Sequence, residues 1–253
     1  MNKISIIVIV ALLLSMGLLW YKASTPPAKK SLDNAQLVVG VNAEYPPFVF
    51  IKDDKIVGFD IDLIEEIAKH LNKQLELRNM SFDSLIPGLQ TGTLQIVVGG
   101  MTPTQERTQR VFFTKPYLSA DPLTIISLAD SPLSTTQELR NKIVAVNEGY
   151  TADYYMSTIP DIQLLRLATP LEAFMALQSK RANAFVSAAN AAAPFLAHYK
   201  DKFRTAVIPD TSETYAITIS KKYPDLVEPI QHALDALQED GFIDALKQKW
   251  QIA

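Results

Sequence analysis

The 253-residue chain has no cysteine, which excludes thiol catalysis, cysteine-bound zinc and iron–sulfur clusters. It has only three histidines, His70, His198 and His232. They fall apart on separate predicted helices with no His-x-x-x-His pair, so no metal site is expected. The chain also lacks G-x-S-x-G, the P-loop and G-x-G-x-x-G, so the sequence offers no catalytic serine elbow or nucleotide cradle, and no cofactor is expected. Basic charge is scarce outside the N-terminus. The first 30 residues hold Lys3, Lys22, Lys29 and Lys30 and no acid, and the remaining 223 carry 20 basic against 27 acidic side chains. A body with that balance is not built to grip a nucleic-acid backbone.

Hydrophobic residues are plentiful, at 48%, enough for a proper core in one large or two small domains. After Met1-Asn2-Lys3, the run Ile4–Trp20 is uncharged and almost wholly aliphatic, at the short end of what spans a bilayer. Tyr21-Lys22-Ala23 puts bulk and charge where a cleavage site wants small residues. Residues 1–22 therefore read as a signal peptide or an uncleaved signal anchor, and without cysteine no lipid anchor can replace it. A Pro/Lys/Ser-rich linker follows over 23–35.

From Gln36 onward, short β-branched runs alternate with amphipathic helical stretches. Leu37–Val41 reads as a buried strand leading into the turn Glu44-Tyr45-Pro46-Pro47-Phe48, and a hairpin is expected around Asp53-Asp54. Leu63, Ile64, Ile67, Ala68 and Leu71 share one helical face after Asp60. Asp83 is expected to cap a second helix ending at Gly92. Strand Leu94–Val98 runs into Gly99–Arg107, where Thr102 and Gln105 form the pattern of a capping box with Pro103 at the first helical position. The second half repeats this logic: strands over 142–146, 164–167, 184–186, 205–208 and 215–219, a second capping box at Thr169–Glu172, and two closing helices separated by Gly241.

The stretches LVVGVNAEYPPFVF, GFDIDLIEEIAKHL and FDSLIPGLQTGTLQIVVGGMTPTQERTQRVFFTKPY, continued by KIVAVNEGYTADYY, ATPLEAFMALQSKRANAFV and LQEDGFIDALKQKW, resemble the polar-amino-acid-binding family of extracellular (periplasmic) solute-binding proteins of ABC transporters. The resemblance implies an α/β, periplasmic-binding-protein-like type II fold: two lobes joined by two crossover strands with a ligand cleft between them. The lobes would be 36–120 with 216–253, and 121–215. It also implies a periplasmic or extracytoplasmic location, an ABC permease as partner, a monomer, and a small-molecule ligand held without catalysis.

By the same resemblance, Arg107 matches the arginine that clamps the ligand's α-carboxylate, helped by backbone N–H groups of Gly100, Met101 and Thr102 and by the Thr102 hydroxyl. Independently of the family, a guanidinium fork suits a carboxylate. Tyr45 and Phe82 match the aromatic walls around the ligand side chain, and two such walls suit a guanidinium, which favours a polar or basic amino acid. Asn147 and Thr151 match the second-lobe clamp, in which Tyr150 is bulkier than the usual small residue; Asn42 and Asp60 are further polar candidates. One departure stands out. The family's ammonium-binding aspartate is Ala188 here, so Glu148, Glu213, Asn190 or another group must substitute, or the ligand is not a standard α-amino acid. The alternatives are a cyclohexadienyl-dehydratase-like enzyme using Glu148, or a membrane-tethered ligand-sensing domain.

Overall fold

The computed structural model describes residues 35–199 and 201–252; the expected signal or anchor over 1–22, and the linker except for Ala35, lie outside them. Among the described residues no helix is long and apolar enough to cross a membrane.

Two five-stranded mixed sheets organise the chain. The first has the order Gln74–Asn79, Gln36–Val41, Ile96–Val97, Thr218–Ile219, Phe112–Phe113; the second has Gln163–Leu167, Ile143–Asn147, Ala184–Ala188, Leu123–Leu128, Phe203–Val207. In each, the first three strands are parallel and the last two pair antiparallel. Between the sheets in the chain's path, Leu118–Asp121 pairs antiparallel with Glu213–Tyr215. The central strands read as near-continuous apolar runs because helices cover both faces. Val39, Val41, Ile96 and Val98 are buried in the first core, and Val144, Val146, Ala184 and Val186 in the second.

The expected hairpin forms: Val49–Lys52 pairs with Lys55–Val57, and Asp53 and Asp54 take φ 50° and 57°, the double positive φ of a tight two-residue turn. The helix Phe59–His70 buries Leu63, Ile64, Ile67 and Ala68 as the spacing requires. The closing helix Phe242–Trp250 docks against it. There the Trp250 indole N–H donates to Asp62 Oδ2 at 2.6 Å, and the ring packs edge-on to Phe50 at 5.7 Å. The closing helix is thereby fastened to the first of the described helices.

Three local expectations are corrected. Asp83 lies inside the first turn of Phe82–Thr91, and the N-cap position is Ser81, whose side chain makes no capping bond; Gly92 does end the helix, at φ 79°. The run over 215–219 is not one strand but two pieces, Glu213–Tyr215 and Thr218–Ile219, because the chain passes there from the crossover pair into the first sheet. The third correction concerns the turn around Arg107. Thr102 does not cap a helix: the chain turns at Pro103, where Thr104 N donates to Thr102 O at 2.9 Å, and Thr104 is the N-cap, its hydroxyl accepting from Arg107 N at 3.2 Å. That two-residue shift puts Arg107 in the first helical turn, where side chains lean back toward the N-terminus.

Candidate functional site

The parallel strands of both sheets end on the same crevice, the usual ligand position of open α/β sheets. Val41 leads to Asn42, Val97 to Gly99-Gly100, Asn147 to Gly149-Tyr150, and the strand Ala184–Ala188 to the helix Ala189–His198.

Arg107 is the most telling side chain there. It is 4% exposed, its Nη1 donates to Thr102 O at 2.9 Å and its Nη2 to Gly149 O at 2.9 Å. The guanidinium lies 5.4 Å from the centre of the Phe82 ring. Among the described residues no ion pair reaches it. Burial pushes its pKa down, opposed by the more distant charges of Tyr154, Glu213 and Glu106. A buried cation held only by neutral carbonyls is costly, and an anion arriving beside it relieves that cost.

The aromatic residues meet around Tyr150. Its ring stacks on Phe82 at 4.1 Å, lies 5.3 Å from Tyr45, and its hydroxyl donates to Asn42 Oδ1 at 3.2 Å. Tyr45 is itself stacked on Phe48 at 5.6 Å. The turn Gly149-Tyr150 thus offers Arg107 a carbonyl oxygen, Phe82 and Tyr45 a flat ring, and Asn42 a donor. The space left among Tyr45, Asn147, Thr151, Ala188 and Glu213 is small: about 10 Å³ is open to the centre of a water molecule, room for roughly one.

Gly100 departs from expectation. Its N–H is taken by Asp60 Oδ2 at 2.8 Å, so it does not point into the crevice as a free donor. Asp60 is fully buried, and burial pushes its carboxyl up to about 7 against the Tyr117 hydroxyl and the Gly100 and Gly99 N–H groups. Its work is to brace the Gly99-Gly100 turn. Met101 is buried and its carbonyl accepts from Ala216 N at 3.1 Å. The Thr102 hydroxyl is buried with no partner. Asn147 is buried, its amide donating to Leu167 O at 3.3 Å, and Thr151 opens the helix Thr151–Ser157. Glu148 is exposed, which leaves it without the buried setting that a cleft acid needs.

Two residues went unnoticed in the sequence, Tyr215 and Asp121. The Tyr215 hydroxyl is 2.7 Å from Asp121 Oδ2 and 3.2 Å from Glu213 Oε2, a buried cluster on the crossover pair. The available signal was Glu213-Thr214-Tyr215, two polar groups on one strand face.

Two sheets facing across a crevice, with a crossover pair between them, define the class of two-lobed type II binding proteins. The family model for bacterial extracellular solute-binding proteins, family 3, matches residues 37–252, and the chain belongs to that family. A probable histidine-binding protein of Campylobacter jejuni is 32% identical over 217 residues, covering 85% of each chain. A probable ABC transporter arginine-binding protein, ArtJ of Chlamydia trachomatis, is 30% identical over 228 residues, covering 86% of each. Among solved structures, an ancestral arginine-binding protein bound to arginine superposes with a TM-score of 0.81 at 31% identity, covering 86% of this chain and 98% of that one.

Proposed function

We propose that this protein captures an α-amino acid, with a polar or basic side chain favoured, and delivers it to the permease of an ABC importer without chemical turnover. The observation that carries the reading is the buried Arg107, which lacks an ion-pair partner among the described residues at the carboxyl ends of the first sheet's strands. A ligand carboxylate would take the place of the Gly149 carbonyl on the guanidinium and bind it through two parallel hydrogen bonds. Tyr45 and Phe82 would hold the side chain, with Thr102, Asn147 and Thr151 adding polar contacts. Gly100 and Met101 would shape the turn beneath the ligand. The curated relatives named for histidine and arginine support a flat, cationic side chain between aromatic walls.

In this reading residues 36–120 and 216–253 form one lobe and 121–215 the other, hinged at Leu118–Asp121 and Glu213–Tyr215. Ligand bridging the two shifts the population toward the closed form that a permease recognises. The N-terminal segment would keep a monomeric receptor tethered outside the cytoplasmic membrane. A thermal-shift screen of the full chain in mild detergent against the twenty amino acids tests the reading. Arginine or histidine should raise the midpoint and be recovered unaltered; no shift with any amino acid would overturn it.

Tyr150 competes with the ligand for Phe82 and Asn42. Its ring stacking and hydrogen bond together are worth on the order of 1–3 kcal/mol. Tyr150→Ala should therefore tighten arginine binding by about tenfold, since the competent fraction of the cleft rises. Weaker binding in a titration of this variant would make Tyr150 a wall of the liganded site instead.

A further inference from the structure

We propose that Glu213 holds the ligand's ammonium group, in place of the aspartate that this chain lacks at position 188; the proposal rests on the amino-acid reading above. Ala188 and Glu213 line the same small cavity, together with Asn147 and Thr151. A cation lodged beside Ala188 therefore has Glu213 as a facing carboxyl. Glu213 is 6% exposed and sits directly opposite Asp121 on the crossover pair. Its Oε1 is buried with no partner of hydrogen-bonding geometry, and the Thr102 hydroxyl, likewise without one, lies near enough to favour the carboxylate.

The hydrogen bonds around the cluster decide which of the two carboxyls is free for a ligand. Tyr215 has one phenolic hydrogen, and Asp121 Oδ2 at 2.7 Å is the nearer acceptor. Asp121 Oδ1 also accepts from Asn190 N at 3.0 Å, in the first turn of the helix Ala189–His198, whose N-cap Ala188 has no side chain to offer. Asp121 has thus taken over the capping work of a polar residue at 188; burial raises its carboxyl, and the Asn190 and Ala189 N–H groups of that helix end, with the Tyr215 hydroxyl, oppose the rise. Glu213 keeps an oxygen with no partner on the cavity. Asn190 serves Asp121, and Glu148 is exposed, so neither competes for the role.

Two facing carboxyls cannot both ionise cheaply in a buried site. Burial and the Asp121 charge push Glu213 up to about 8, against the Tyr215 hydroxyl, Arg107 and Thr102. The surrounding phenols, Tyr45, Tyr150 and Tyr215, are themselves raised by burial and stay neutral. In the ligand-free protein at neutral pH, Glu213 therefore carries its proton. An arriving ammonium ionises it, the ion pair forms, and the proton leaves to solvent. Affinity for an α-amino acid then rises with pH up to about 8, by at most about tenfold per pH unit, and falls again at higher pH where the ligand's own ammonium loses its proton. For the ligand-free protein the sign is the reverse: a carboxyl raised on folding contributes stability at low pH that is lost as pH rises through about 8.

The test is isothermal titration of the full chain in detergent at neutral pH, in buffers of different ionisation enthalpy. The probes are L-arginine and L-histidine beside 5-guanidinopentanoate and 3-(imidazol-4-yl)propanoate, which keep carboxylate and side chain but lack the amine. Wild type should bind the amino acids with release of close to one proton. Glu213→Gln should weaken them by at least about tenfold, abolish the proton release, and leave the two deamino acids within about twofold of wild type. Because the isosteric amide removes a buried ionisation, the variant's thermal midpoint at pH 9 should be no lower than wild type, which separates lost binding from lost folding. Unchanged amino-acid affinity with proton release intact, or an equal loss for amino and deamino acids, overturns the assignment. Binding of the deamino acids but not the amino acids by wild type overturns it as well. If wild type binds none of the four, the amino-acid reading itself fails and takes the assignment with it.

Discussion

Arg107→Met is expected to abolish amino-acid binding while leaving the fold at least as stable as wild type. The two effects have a common cause. The guanidinium is buried and bonded only to the carbonyls of Thr102 and Gly149, so it costs the ligand-free protein a desolvation that neutral acceptors do not fully offset. Methionine fills similar space without that charge. Binding loses a bidentate, charge-assisted pair in a water-poor crevice, about 2–5 kcal/mol, which is roughly a 30- to several-thousand-fold weakening. Calorimetric titration with arginine and a thermal melt of the same variant check both halves. Retained affinity would remove Arg107 from the site, and a large fall in midpoint would make it a structural residue.

Gly58→Ala should cause the largest loss of stability. Gly58 is the N-cap of Phe59–His70 at φ 140°, and a Cβ there would sit 2.1 Å from the backbone oxygen of Phe48. That carbonyl cannot withdraw, because it accepts from Asp60 N at 3.0 Å while Pro47 O accepts from Phe59 N at 3.0 Å. The turn these bonds hold also carries Phe48, packed against Tyr45 at 5.6 Å and Tyr215 at 5.0 Å. A backbone clash plus a disfavoured φ should cost about 3 kcal/mol or more, lowering the midpoint by roughly 6–12 °C for a chain of this size. Displacing Tyr45 should weaken ligand binding as well. A midpoint within about 2 °C of wild type would mean that the turn moves freely.

Local periodicity was readable wherever it was strong. The spacing of Leu63, Ile64, Ile67 and Ala68 marks a helix, and Asp53-Asp54 between β-branched runs marks a hairpin; both stand in the structure. The two-lobed architecture came from resemblance, since alternating strands and helices alone fit many α/β folds. The misreadings around Arg107 and Asp83 have one physical origin. Several residues that can cap stand close together there, and only the turn at Pro103, closed by Thr104 N donating to Thr102 O, selects Thr104. What the sequence hides altogether are pairings between distant segments. Asp60 meets Gly100 at a separation of 40 residues, Tyr150 meets Asn42 at 108, and Tyr215 meets Asp121 at 94. None leaves a local pattern, and each shapes the crevice: the Gly100 N–H is taken by Asp60, the Tyr150 ring is held beside Phe82, and the Tyr215 hydroxyl is held by Asp121.

A carboxylate meeting a buried guanidinium is the central interaction, and the most direct test removes that carboxylate's charge from the ligand while leaving the protein untouched. L-arginine and L-histidine can be titrated beside their α-carboxamides, which keep the ammonium and the side chain. One or both amino acids should bind, and the matching amide should bind more weakly by about 30-fold or more. Amide and acid binding with equal affinity would contradict this.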